Sequence, residues 1–182
     1  MKTFKEYLHS VDACQPAIEW AGDKPVEQIV AECHRGDWLL WLAKKCGVEL
    51  QPLTLAKGHC ANTVRHLMSD ERSLIAVDVA IAFGEGKATI QELDAAATAA
   101  ATAADAADAA DAVNAATAAA TAASTAADAA YAAYAGSVAA TAAATAAYAD
   151  AVKVAKRQET ADICRKYIGD LIIEKVNQTL NP

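Results

Sequence analysis

The chain has 182 residues and a formal charge of −7 at neutral pH. This length fits a single domain, and the acidic balance argues against nucleic acid or an anionic membrane as a partner. The hydrophobic fraction of 54% overstates the core, because much of it is alanine, which buries little apolar area.

Cysteine usage and the N-terminal residues both bear on the compartment. Five cysteines occur without a Cys-x-x-Cys pair, and the polar run from Met1 to Glu6 does not resemble the start of a secretion signal. We therefore expect free, mostly buried thiols in a reducing cytoplasm. No stretch has about 18 strongly apolar residues in succession, so we expect no membrane-spanning helix.

Helix signals are dense in residues 1–86, whereas strand signals are nearly absent. Thr3 and Glu6 have the spacing of a capping box and predict a first helix that ends near Val11. Asp37 is the predicted N-cap of a later helix that ends before Gly47. Other predicted helix boundaries are marked by proline in a first turn or glycine after a last turn, at Pro16, Gly22, Pro25, Gly36 and Pro52.

Residues 74–83 form an ambiguous segment. Apolar side chains alternate with smaller or polar ones over residues 75–81, which is also the pattern of a strand. Because the sequence has no second β-like run to pair with it, we predict a buried helix that ends at Gly84. Asp78 within that helix would then need a hydrogen-bonding partner.

Alanine supplies 36 of the 58 residues between positions 94 and 151. The string Thr-Ala-Ala-Ala-Thr-Ala-Ala occurs three times, starting at Thr98, Thr117 and Thr141. A single helix over residues 90–156 would be roughly 100 Å long, which exceeds the diameter of a small domain. We therefore predict about three alanine-rich helices, stacked through flat faces that allow close backbone approach.

Two tyrosines, Tyr131 and Tyr134, share a helix face within the alanine-rich segment. They either fill gaps between helices or contribute to a binding surface. Exposed alanine faces also allow subunits to pack closely, so a homo-oligomer is a further prediction. After Val154, larger apolar side chains return at helical spacing and predict a C-terminal helix that packs back on the N-terminal core.

The predicted fold is therefore all-α, a multi-helix bundle with stacked alanine-rich helices in a single domain, residues 1–182. Within it, residues 1–86 form an N-terminal helical core and residues 87–156 form the alanine-rich repeats, which start at a second capping box of Thr89 and Glu92. Residues 157–182 form the C-terminal helix.

No motif predicts a catalytic residue, a cofactor or a metal ion. Ser, His and Asp occur without a nucleophile elbow, and the sequence has no glycine-rich phosphate loop. The pairs Cys33-His34 and His59-Cys60 consist of adjacent residues, whose side chains point apart, so they do not predict a zinc site.

Trp38 and Trp41 belong to the densest hydrophobic cluster of the chain. The two indoles either belong to the core or, together with Arg35, line a pocket for a planar ligand through stacking and cation–π contacts. His59 and Arg65 on the following helix are polar residues that would converge on such a pocket. The complete set of candidate binding residues is Arg35, Asp37, Trp38, Trp41, His59, Arg65, Tyr131 and Tyr134.

The block Cys33-His-Arg-Gly-Asp-Trp-Leu-Leu-Trp-Leu42 resembles a block of the alanine-rich immunity-protein family of bacteria and phages. Gly86-Lys-Ala-Thr-Ile-Gln-Glu-Leu93 and Ala161-Asp-Ile-Cys-Arg165 resemble later motifs of that family, and alanine repeats lie between them. The resemblance covers nearly the whole chain, but it brings no catalytic or binding residues with it.

Two functions are consistent with this sequence. The resemblance and the acidic charge predict a non-enzymatic immunity or antitoxin-like protein that neutralises a toxin or defence effector by binding it. The alternative is a phage or bacterial protein that binds and sequesters a small molecule, such as a nucleotide-type immune signal. A pocket lined by Arg35 and His59 would favour the alternative, whereas a closed Trp38/Trp41 cluster would count against ligand binding.

Overall fold

The computed structural model describes residues 3–68, 70–105 and 150–181, and every regular element within these ranges is helical. The prediction of an all-α fold with packed helices is therefore confirmed. A short 3-10 turn, Arg65–Leu67, lies between the fifth and sixth α-helices. In chain order the α-helices are α1 (Phe4–Ser10), α2 (Gln15–Ala21), α3 (Val26–Glu32), α4 (Gly36–Lys45), α5 (Leu50–Asn62), α6 (Glu71–Gly84), α7 (Ile90–Asp105) and α8 (Asp150–Leu180).

Both predicted capping boxes are present. The backbone N–H of Glu6 donates to Thr3 Oγ1 at 3.2 Å, and the backbone N–H of Thr3 donates to Glu6 Oε2 at 2.7 Å. Thr89 and Glu92 repeat the arrangement before α7, with the same two distances. Each box satisfies two backbone donors that a helix start would otherwise leave without partners.

The segment over residues 74–83 is helical and lies within α6, as predicted. Asp78 finds its partner in Arg65, whose two terminal nitrogens donate to the carboxylate at 2.6 and 2.9 Å. This ion pair lies on the surface, so α6 is buried along one face only.

The predicted N-cap of α4 is wrong. The helix begins at Gly36, its N-cap is Arg35, and Asp37 lies inside the first turn without capping it. The carboxylate of Asp37 instead accepts hydrogen bonds from the guanidinium of Arg35. A charged donor two residues away competes successfully with the backbone N–H groups, because charge-assisted hydrogen bonds are the stronger ones.

Two hydrophobic clusters make up the core, and α5 contributes to both. The first cluster contains side chains of helices α1, α2, α3, α4, α5 and α8. The second contains side chains of α6, α7 and the end of α5. The buried stripe of α8 has helical spacing and contacts α3, α4 and α5, which confirms that the C-terminal helix packs back on the N-terminal core. Full burial of an isoleucine or valine contributes about 1.5–3 kcal/mol. The stripe consists of Ala161, Cys164, Ile168, Ile172 and Val176.

Helices α4 and α8 approach each other most closely at Gly36. A Cβ atom at this position would lie 2.6 Å from Oγ1 of Thr160 on α8, a distance that real Cβ contacts do not show. Only glycine therefore allows the start of α4 to rest directly on α8.

The alanine-rich segment is described at its two ends. In α7, Leu93, Ala96, Ala97 and Ala100 are buried and belong to the second cluster, which also contains α6 side chains. An alanine face of α7 therefore packs against α6 at this end of the segment. The predicted stack of helices over residues 106–149 lies outside the described residues.

One charged side chain is buried in α5. Lys57 is 1% exposed, and its Nζ has no hydrogen-bond partner among the described residues. Burial, with a smaller contribution from the charge of Lys44, lowers the pKa of Lys57 from 10.5 to about 7. A buried amine without a partner opposes folding in its charged form.

None of the helices in the described ranges is long and apolar enough to cross a membrane.

Candidate binding pocket

A cavity of about 400 Å³ opens beside α1, α2 and α4. We call it the indole pocket, because Trp20, Trp38 and Trp41 line it. Most of its remaining wall is apolar and belongs to the first hydrophobic cluster, with contributions from Phe4, Leu8, Ala21, Ile29, Leu39 and Leu42. Polar or small side chains complete the lining, namely Asp12, Cys14, Ala17, Cys33, Arg35 and Asp37.

The aromatic side of the pocket is built from two helices. The ring centroids of Trp20 on α2 and Trp38 on α4 are 5.9 Å apart, and their planes are tilted by 56°. His34 lies 5.8 Å from Trp20 and 6.4 Å from Trp38, measured between ring centroids. Tilted aromatic pairs at these distances each contribute about 0.5–1.5 kcal/mol beyond their burial. Mutual contact therefore fixes the orientation of these rings before any ligand binds.

Two cations of the chain lie over these indole rings. Nζ of Lys24 is 4.3 Å from the ring centroid of Trp20, and the guanidinium carbon of Arg35 is 4.6 Å from that of Trp38. Both distances are within the range of cation–π attraction. The positive charge of each side chain therefore already interacts with an indole ring of the site.

Arg35 and Asp37 form a bidentate ion pair at the pocket. Nε of Arg35 donates to Oδ1 of Asp37 at 2.9 Å, and a terminal nitrogen donates to Oδ2. The two side chains are only 24% and 13% exposed. The hydrogen bonds to Asp37 raise the pKa of Arg35 above its ordinary value. Separating this pair would leave two poorly solvated charges, so it resists competition from an incoming anion.

Helix α8 holds the turn that carries this ion pair. A terminal nitrogen of Arg165 donates to the backbone oxygen of Cys33 at 2.6 Å and to that of Val30 at 3.3 Å. The thiol of Cys164 donates to the backbone oxygen of Gly36 at 3.5 Å. These bonds satisfy carbonyl groups between α3 and α4, so the position of the pocket wall depends on a helix far away in the sequence.

Five ionisable side chains line the pocket. Its ionisable groups are two carboxylates, one guanidinium and two thiols, from Asp12, Asp37, Arg35, Cys14 and Cys33. Burial raises the pKa of the Cys33 thiol to about 11, so it is protonated at neutral pH and is a poor nucleophile. Across the described residues, no group of three or more His, Cys, Asp or Glu side chains has a geometry that could hold a metal ion.

The structure brings together four of the eight residues predicted to form the site. Arg35, Asp37, Trp38 and Trp41 line the indole pocket. Two further predicted site residues, Tyr131 and Tyr134, lie outside the described residues.

His59 and Arg65 do not reach the pocket, contrary to the prediction of polar convergence. The ring of His59 stacks on Tyr167 of α8, with centroids 4.6 Å apart and planes at 4°. Partial burial and the neighbouring charge of Lys166 lower the pKa of His59. Arg65, in the 3-10 turn after α5, is engaged with Asp78 of α6.

Sequence reasoning missed the contribution of α1 and α2 to the site. Trp20 supplies part of the aromatic wall, and Asp12 and Cys14 lie in the loop between the two helices. Asp12 adopts a φ of 59°, which is uncommon for a residue other than glycine. A Trp five residues after the start of α2 was the available signal, but nothing in the sequence places it against Trp38.

No family model, curated protein sequence or solved structure matches this chain. The resemblance to the immunity-protein family therefore depends on the sequence blocks quoted above.

Proposed function

We propose that this protein is a non-enzymatic binding protein of the immunity type, which neutralises a protein toxin or effector by holding one of its apolar side chains in the indole pocket. The observation that carries the proposal is the pocket itself, with about 400 Å³ of space and three tryptophans in its wall. Buried aromatic side chains in well-packed pockets dominate the energetics of many protein interfaces. The resemblance to immunity proteins points to the same class of function.

Charge favours a basic protein over a nucleotide as the partner. The pocket lining has the carboxylates of Asp12 and Asp37 and one cation, Arg35, which is already paired with Asp37. Lys24, over the ring of Trp20, lies outside the lining and is paired with Glu32. A phosphate group that bound Arg35 would have to displace the carboxylate of Asp37 and would then lie near that negative charge. A basic surface would instead be attracted by the net charge of −7.

A small planar molecule is the second candidate. The observation in its favour is that the indole pocket has the volume and the aromatic wall typical of small-ligand sites. The most suitable ligand would be flat and apolar or carry a positive charge, because the pocket offers indole rings beside carboxylates. Sequestration of such a ligand would use the same residues as the proposed protein interface.

Filling the pocket tests the proposal without removing a core side chain. Ala17 lines the pocket on α2, so Ala17→Phe should occupy the space that a partner side chain needs. Ala31→Phe is the matched control, because Ala31 is exposed on α3 and does not line the pocket. Circular dichroism and thermal unfolding should first show that both variants keep the helical fold.

The binding measurement uses tagged protein purified from the cells that express it. We expect one basic protein to co-purify with the wild type and with Ala31→Phe but not with Ala17→Phe, and calorimetry with that protein should show at least about a tenfold weaker Kd for Ala17→Phe. Equal binding by all three forms would contradict the proposal. A low-mass ligand in native mass spectra of the wild type, lost in Ala17→Phe, would favour the small-molecule candidate instead.

A further inference from the structure

Two thiols meet in the core between α5 and α8. Sγ of Cys60 and Sγ of Cys164 are 3.9 Å apart, and both residues are 0% exposed. Cys60 also lies 3.7 Å from the backbone oxygen of Thr160, and Cys164 lies 3.5 Å from that of Gly36. The residues are 104 positions apart in the chain. This contact therefore joins two helices that are distant in sequence.

The geometry is close to that of a disulfide. A disulfide bond holds its sulfur atoms about 2.05 Å apart, so the two atoms together need to move by less than about 2 Å. The sulfur atoms already lie at S–H···S distance. All five cysteines are free thiols in the structure, as the sequence predicts.

We propose that Cys60 and Cys164 are an oxidative cross-linking site, at which a peroxide converts the two thiols into a disulfide that ties α5 to α8. One thiol loses its proton, and the thiolate attacks an oxygen of hydrogen peroxide; the O–O bond breaks, a sulfenic acid forms, and the released hydroxide takes up the proton and leaves as water. The second thiol then loses its proton and its thiolate attacks the sulfenic sulfur; the S–O bond breaks, the S–S bond forms, and the second hydroxide leaves as water with that proton. The two thiols lose two electrons in total, and one peroxide molecule is reduced to two waters.

Burial sets the rate and the selectivity of this reaction. The desolvated surroundings raise the pKa of the Cys164 thiol well above its ordinary value, so oxidation requires local opening of the contact between α5 and α8. The pair therefore stays reduced during short exposure and reacts under sustained oxidant. Cys33 is the competing thiol, because it is the third buried cysteine and lies at the pocket wall.

The cross-link would act on the support of the indole pocket. The residue after Cys164 is Arg165, which holds the backbone oxygen of Cys33 at 2.6 Å. The disulfide would remove the thiol hydrogen bond from Cys164 to Gly36, but it would leave the hydrogen bonds of Arg165 intact. Fixing α8 to α5 would therefore keep Arg165 beside the turn between α3 and α4 during fluctuations that would otherwise separate these helices. This role is independent of what the pocket binds.

Peptide mapping after oxidation tests the site. Cys14→Ser/Cys46→Ser protein, which keeps Cys33, Cys60 and Cys164, is incubated with hydrogen peroxide, denatured, treated with an alkylating reagent and digested. We expect an intact mass lower by two hydrogens, a cross-linked peptide containing Cys60 and Cys164, and an alkylated Cys33. The oxidised protein should also unfold about 10 °C higher than the reduced protein, since the bond closes a long loop. Dithiothreitol should abolish the difference.

Two results would overturn the assignment. One is a bridge between Cys33 and Cys164, and the other is three alkylated thiols after an exposure sustained well beyond the time that fully oxidises the exposed Cys14 of the parent protein. Cys60→Ser in the same background is the negative control and should give no cross-link. The mapping itself needs no folded variant at position 60, so a folding defect in the control leaves the test intact.

Discussion

Replacing Lys57 by methionine should stabilise the protein at neutral pH. The side chain of Lys57 is 1% exposed, and burial, together with repulsion from Lys44, lowers its pKa from 10.5 to about 7. Methionine has a similar length and no charge, so Lys57→Met keeps most of the packing while removing the unpaired amine. The expected increase in the free energy of unfolding equals the free-energy cost of burying the Lys57 amine in the folded state.

The gain should depend on pH. The unfolded chain protonates Lys57 with a pKa of 10.5, whereas the folded chain does so with a pKa of about 7, so the unfolded state binds more protons between these values. The stability linked to this group is therefore fully present above pH 10.5 and is lost as the pH falls towards 7. The expected gain from Lys57→Met is about 4 kcal/mol at pH 7 and about 2 kcal/mol at pH 9.

Urea unfolding followed by circular dichroism at several pH values between about 6 and 9 measures this difference. Taking the difference between variant and wild type cancels the titration of groups that both proteins share, such as the buried thiols. Lys5→Met on the exposed face of α1 is the control and should change stability little at any pH. A variant that is less stable than the wild type, or a gain that does not change with pH, would refute the reasoning.

Two further substitutions test the packing of α8 and the surface charges. Gly36→Ala should lower the free energy of unfolding by about 2 kcal/mol or more, because its Cβ would lie 2.6 Å from Oγ1 of Thr160. Thermal unfolding should show a Tm lower by about 4 °C or more, and an unchanged Tm would contradict the close approach of α4 and α8. Arg65→Gln should cost less than about 1 kcal/mol, since Arg65 and Asp78 are 37% and 59% exposed. That small loss should vanish at high salt, and a loss that persists there would show that the pair is less solvated than the structure indicates.

Short sequence patterns predicted where helices occur, whereas contacts outside those patterns determined features such as the N-cap of α4. Thr3 and Glu6 specify a helix start through bonds within four residues, so the first capping box is readable from the sequence. Residues 74–83 are helical because one face packs on α5 and α7, and the absence of a partner strand indicated the same result. Asp37 was assigned wrongly because its preferred partner, Arg35, lies outside the capping pattern.

The burial of Lys57 was not predictable from its local sequence. Lysine is almost always exposed, and the residues around it in α5 do not form a clean amphipathic pattern. Thr54, Lys57 and Gly58 are all buried, because α5 packs against α4, α6 and α8 on several sides. A helix enclosed in this way has no wide polar face, so helical periodicity stops being informative.

In the candidate site, too, the residues adjacent in sequence were predicted, whereas a residue from a distant helix was not. Arg35, Asp37, Trp38 and Trp41 are close in sequence, and one turn and one helix place them together. Trp20 comes from a different helix, and only the packing of α2 against α4 brings it to the same cavity. His59 was expected at the pocket for its chemistry, but the direction of its side chain from α5 takes it to Tyr167.

Helix α8 links the pocket to the rest of the fold. Arg165 and Cys164 bind carbonyl groups between α3 and α4, and Thr160 packs on Gly36 at the start of α4. A partner that recognises the pocket in this geometry binds the state in which α8 is docked. Linkage then requires that partner binding and α8 docking favour each other by the same free energy. The pocket is therefore a property of the whole helical bundle, although five of its lining residues lie within positions 35–41.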